Sequence, residues 1–202
     1  MTQPITQRFS VESLALTFLV VLLMPLSVFA GPPTEQIRAT VDEVVAILKE
    51  TRRTPGKGDN ESREQIKRAI VHRFDFNEMA KRCLGFQWRR LSAGERDEFT
   101  RLFTELLERS YLNQIQAYHG EQITFVRERR NGDYAEVESY IVTGTGTQLS
   151  VNYKSLLVNG EWKVYDVVAE NISMVNNFRS QFRRILARYS YDELVRRIRQ
   201  KL

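Results

Sequence analysis

The chain has 202 residues and a net charge of +5, from 30 Lys and Arg against 25 Asp and Glu. That length holds one domain with a substantial core, and no internal repeat or low-complexity tract divides it. A single cysteine, Cys83, excludes an intramolecular disulfide, and two histidines, His72 and His119, leave no metal set of the usual spacing.

The first thirty residues read as an export signal. Arg8 precedes an apolar run over 14–26, and Ser27-Val28-Phe29-Ala30 supplies a small-residue cleavage site. Thr17 and Pro25 interrupt the run, which is shorter than the roughly 20 apolar residues of a membrane span. The expected organisation is a signal peptide over 1–30 and one soluble, exported domain over 31–202, cleaved near Ala30.

The spacing predicts a helix over 34–53, with Ile37, Val41, Val44, Val45 and Leu48 on one side. Residues 54–60, TPGKGDN, read as a flexible connection. Ser62 and Gln65 suggest a capping box for a short second helix through Ile66 and Ile70. Asp75 and Glu78 open a third helix that Gly85 closes. Ser92 and Glu95 form another box ahead of the longest helix, over 93–118, which His119-Gly120 ends.

The apolar period then changes to two. Strands are expected over 123–129, 134–143, 149–158 and 162–169, with Asn131-Gly132 and Asn159-Gly160 as tight hairpin turns. Gly144-Thr145-Gly146 is a turn between strands and leads into no helix, so it is no phosphate loop. Two more helices follow, one with Val175, Phe178, Phe182, Ile185 and Leu186 on a face, the other capped by Ser190 and Glu193. Helices, then a four-stranded antiparallel meander, then helices make an α+β fold with the helices on one face of a strongly curved sheet.

Catalytic equipment is sparse. Asp75, Glu78 and Glu95 stand at helix starts, where capping accounts for them. Asp166, among Val164, Val167 and Val168, is either a structural acid or a candidate general base. Cys83 sits beside Met79, Leu84 and Phe86 and reads as a buried, inert thiol, with a Cys-His pair as the alternative. The tail arginines Arg179, Arg183, Arg184, Arg188, Arg196, Arg197 and Arg199 form either a solvated face or a surface for anionic headgroups or an acidic partner. Export and the lack of interleaved aromatic residues oppose nucleic acid. The many tyrosines, with Trp88 and Trp162, suit the mouth of an apolar pocket or an ordinary core edge.

FDFNEMAKRCLGFQWRRLSAGERDEF (74–99) together with WKVYDVVAENISMVNNFRSQF (162–182) resembles the MlaC family, the periplasmic phospholipid-binding component of the Mla lipid-transport system, also called the toluene-tolerance auxiliary family. The matching marks include Phe74-Asp75-Phe76, Met79-Ala80, Leu84-Gly85, Trp88-Arg89, Ser92, Phe99, Leu106-Leu107, Tyr111, the run over 162–167, Ser173, Arg179 and Phe182. Asn171 departs from a usual Gly, and Phe178 from a common Tyr. The resemblance implies a nuclear-transport-factor-like cone with an apolar pocket that holds phospholipid acyl chains, the headgroup lying outside. It also implies passage between an outer-membrane lipoprotein complex and an inner-membrane ABC transporter complex with a tethered substrate-binding subunit.

The physics agrees. A two-tailed lipid has about thirty methylenes, each costing roughly 0.8 kcal/mol to expose to water, so a carrier must enclose the tails. No nucleophile, metal or cofactor is needed, and none is expected. The expected wall residues are Leu106 and Tyr111 from the long helix, Tyr140, Tyr153, Tyr165 and Val167 from the sheet, and Ile172, Met174 and Phe178 near the late helix. A charge at Ile172 or Val167 is expected to abolish lipid retention. The competing readings are a carrier of another apolar molecule (a hopanoid or an aromatic solvent), a cone-fold enzyme using Asp166, and an envelope protein with a closed core.

Overall fold

The computed structural model describes residues 32–53 and 59–202. The export signal and most of the expected connection at 54–60 lie outside the described residues. Seven helices and five strands follow in order: α1 (Pro33–Arg53), α2 (Asp59–Arg73), α3 (Phe76–Leu84), α4 (Phe86–Arg90), α5 (Ala93–Gln116), β1 (Gln122–Asn131), β2 (Tyr134–Val142), β3 (Gln148–Val158), β4 (Glu161–Ala169), β5 (Ile172–Ser173), α6 (Met174–Leu186) and α7 (Tyr191–Arg199). Among the described residues no helix is long and apolar enough to cross a membrane.

Local chemistry explains most boundaries. Asp75 caps α3 by accepting from the Glu78 N–H, and Gly85 ends it at φ 57°, a left-handed value that favours glycine. Ser92 and Glu95 complete a reciprocal capping box on α5, and Ser190 caps α7. The Ser62–Gln65 box does not form. α2 begins at Asp59, so Ser62 lies inside the helix, where its hydroxyl accepts from Thr51 at 2.6 Å. Asn159 and Gly160 take φ 50° and 83°, the primed turn that matches strand twist.

The sheet is antiparallel with strand order β1-β2-β3-β4-β5. The fifth strand adds two residues beyond the expected meander, formed because Glu170 and Asn171 both adopt positive φ and fold Ile172 and Ser173 back onto β4. Two register shifts bend the sheet, at Phe125/Arg127 in β1 and opposite Lys154/Ser155 in β4. One face carries Val137, Tyr153 and Val167 and turns toward α1. The other carries Arg129, which pairs with Glu136 and Glu138, as suits a wet face.

Packing resolves into three clusters. A helical core joins Phe99, Phe103, Phe178, Phe182 and Leu194 across α5, α6 and α7. A small cluster of Ile37, Val137 and Val164 pins α1 to the sheet. A third, Leu48, Ile66 and Leu112, ties α1, α2 and α5. Buried Arg73 reinforces the α1–α2–β4 junction by donating to Thr40 Oγ1 at 3.2 Å, Gln36 Oε1 at 2.9 Å and the Trp162 carbonyl at 2.8 Å.

Candidate apolar chamber

The three clusters surround a space that they do not fill. It is a chamber of about 580 Å³, within the range of small-molecule sites. Its wall is made from the half-buried fringe of all three clusters, together with the buried Leu48, Met79, Leu107 and Leu112. Phe76, Tyr111 and Met174 come from the helical core, Val41, Tyr153 and Val167 from the α1–sheet cluster, and Val44, Ile70 and Ile115 from the third. The sheet contributes a continuous inner surface, because strand pairing aligns Ile141 with Leu149, Ile123 with Ile141, and Tyr153 with Val167. α5 is two-faced. Phe99, Phe103 and Leu106 turn into the helical core, while Leu107, Tyr111, Leu112 and Ile115 line the chamber.

The wall is almost wholly apolar. Lys67 and Glu108 form an ion pair of 3.0 Å that reaches from α2 to α5 at its edge, with both groups partly exposed. The Glu108 carboxylate beside Lys67 raises that amine's pKa, so the amine stays charged. Burial pushes the Tyr153 phenol up to about 12, against an opposing hydrogen bond with Ser139. The wall therefore presents a neutral hydroxyl, not a phenolate, at ordinary pH.

Of the nine expected wall residues, Tyr111, Tyr153, Val167 and Met174 border the chamber. The other five do not. Leu106 and Phe178 are buried in the helical core, Phe178 edge-on to Phe103 at 5.3 Å. Tyr140 pairs with Ser150 and Thr124 on the outer face of the sheet. Tyr165 is the extra residue of the β4 bulge, which also turns it outward; it lies edge-on to Tyr134 at 6.2 Å and under the Arg82 guanidinium at 3.9 Å. Ile172 sits on the short edge strand and is 65% exposed. The contributions missed are those of α1 and α2, and of Ile123, Ile141, Leu149 and Val151 in the sheet.

Asp166 is 5% exposed and does not border the chamber. Its carboxylate accepts from Ser173 Oγ at 2.6 Å and from the Val175 N–H at 3.0 Å, and Ser173 Oγ in turn accepts from the Asn176 N–H at 3.0 Å. The acid thus fixes the start of α6. Asp166→Ala is expected to lower stability by about 2 kcal/mol, the cost of losing charged hydrogen bonds and stranding their donors. Asp166→Asn should cost less, and chemical denaturation reads both. Cys83 is equally enclosed: its thiol donates to the Val175 carbonyl at 3.6 Å, and burial pushes its pKa far up.

A curved antiparallel sheet, wrapped by helices around an apolar hollow with charge only at its edge, defines a protein built to enclose a hydrophobic guest. The chain belongs to the MlaC protein family, which matches residues 38–200. It is 27% identical over 124 residues to the intermembrane phospholipid transport system binding protein MlaC of Haemophilus influenzae, across 59% of this chain and 58% of that relative. It is 24% identical over 169 residues to the toluene tolerance protein ttg2D of Pseudomonas putida, across 83% of this chain and 79% of the other. Among solved structures, a phospholipid-binding protein from Ralstonia solanacearum, in complex with a phospholipid, superposes with a TM-score of 0.73. The likeness covers 85% of this chain and 97% of that one, at 20% identity, and establishes a shared fold.

Proposed function

We propose that this protein is a soluble periplasmic phospholipid carrier, moving lipid between an outer-membrane lipoprotein complex and an inner-membrane ABC transporter complex with a tethered substrate-binding subunit. The chamber carries the reading: about 580 Å³ of apolar-lined space that opens to solvent leaves its wall against water, and a guest's hydrocarbon would cover that wall. Tyr111, Tyr153, Val167 and Met174 are the chain-contacting residues among those expected from sequence. The names of the family relatives, and the phospholipid held by the Ralstonia protein of like fold, support the choice of phospholipid over another apolar molecule.

Native mass spectrometry of gently purified protein tests the reading. The expected spectrum shows bound species that dissociate on collision to phospholipid. A chamber that emerges empty, or that holds only a hopanoid or solvent, overturns it. Transfer is tested separately, by loading labelled phosphatidylglycerol and measuring delivery to the reconstituted inner-membrane complex. Sequencing the exported chain, expected to begin near Gly31, tests the compartment.

A further inference from the structure

The arginines near the C terminus divide into two groups. Those of α7 are paired: Arg196 and Arg197 hold Glu193 at 2.7 Å each, and Arg199 pairs with Glu98. Those of α6 and the turn after it are not. Arg179, Arg183, Arg184 and Arg188 are all exposed and make no ion pair among the described residues, and no Asp or Glu occurs between positions 171 and 191. α6 packs along α3, whose one acid, Glu78 in its first turn, is held by Lys81 and Arg82, and no Asp or Glu occurs over 79–94. A Cβ at Gly85 would sit 3.6 Å from Arg179 Nη2, so the Arg179 guanidinium lies beside the α3–α4 junction. The next residue, Phe86, is 73% exposed, the highest value for a large apolar side chain among the described residues, and Arg89 and Arg90 follow it within one turn, exposed and unpaired.

We propose that this α4–α6 face is a docking surface for anionic lipid bilayers, with Arg89, Arg90, Arg179 and Arg183 meeting phosphates and Phe86 entering the headgroup layer. Charge complementarity commits it to an anionic occupant. Guanidinium is weakly hydrated and matches phosphate oxygens with a planar fork. Unpaired arginines repel one another, and a fold that neutralises them in α7 but not in α6 leaves the field of α6 outward. The single projecting aromatic favours a bilayer over an acidic protein. A protein partner is met by anchors seated in complementary recesses, whereas a lone ring flanked by cations is the arrangement that lies in a membrane interface. None of these side chains borders the chamber. The surface is therefore separate from lipid storage, and the proposal stands whether the chamber holds phospholipid or another guest.

The test is co-sedimentation of the full mature chain with phosphatidylcholine vesicles, with and without phosphatidylglycerol. Wild-type protein is expected to bind the phosphatidylglycerol vesicles, and to release as salt shortens the range of the field. Arg90→Glu/Arg183→Glu should weaken that binding at least about twentyfold, taking about fivefold for each basic side chain lost near a charged surface. Phe86→Ser should weaken it several-fold with the salt dependence unchanged. Circular dichroism and the lipid content of the chamber should stay at wild-type values in both variants. Equal binding to both vesicle types, or wild-type binding by the double variant, overturns the proposal. So does failure to bind vesicles while a polyglutamate column retains wild type and passes the variant, an outcome that would assign the face to an acidic protein.

Discussion

Val167→Asp is expected to yield a folded protein that purifies without lipid. Val167 lies opposite Tyr153 in the β3–β4 ladder and faces the chamber. In the empty chamber the new carboxylate can stay hydrated, since about 580 Å³ accommodates several waters at roughly 30 Å³ each, so the cost to the fold is small. Seating an acyl chain removes that water. Stripping a carboxylate costs several kcal/mol, and only ~3 kcal/mol suffices to weaken affinity more than about a hundredfold. Ile172→Asp is the control. It changes an exposed position on the edge strand and should leave lipid content unchanged. Mass spectrometry of extracted lipid reads both variants, with circular dichroism to show that each is folded. Wild-type lipid content in Val167→Asp removes the chamber as the lipid site.

The contrast between Val167 and Ile172 shows how far a sequence carries this kind of inference. The starts of α3, α5 and α7 were legible because capping is local: Asp75, Ser92 and Ser190 each need only a backbone N–H three residues on. Hairpins were legible for the same reason, since Asn159-Gly160 supplies its own positive φ. The wall was legible only where one face of an element is apolar. α5 is apolar on two faces, one for the helical core and one for the chamber, and no pattern in the sequence says which is which; hence Leu106 and Tyr111 looked alike. Strict alternation also puts Tyr165 and Val167 on one face. The bulge at Tyr165 breaks the parity and sends them to opposite faces. Tyr140 was recoverable from the two hairpin registers, which set it beside Thr124 and Ser150 rather than Tyr153. The share of α1 and α2 in the wall was not, because their apolar stripes read the same whether they meet side chains or empty space.

Phe103→Ala should give the largest loss of stability in the molecule without emptying the chamber. Phe103 is fully buried and touches three rings, stacked on Phe99 at 6.0 Å and edge-on to Phe178 at 5.3 Å and Phe182 at 6.0 Å. Removing a buried phenyl group costs about 3–5 kcal/mol in transfer and cavity terms, and each edge contact contributes about 1 kcal/mol of that. The helices cannot collapse into the gap, because α5 is held at its other face by Leu112 against Leu48 and Ile66. Against a total stability of about 5–15 kcal/mol, the variant should unfold at a much lower denaturant concentration with an unchanged slope. The void it leaves lies on the core side of α5, while the lipid wall is on the other. Protein that remains folded should therefore carry lipid at the wild-type ratio. If Phe103→Ala loses lipid as completely as Val167→Asp does while still folded, α5 is not a partition between a filled core and an open chamber. The helical core would then be part of the binding space.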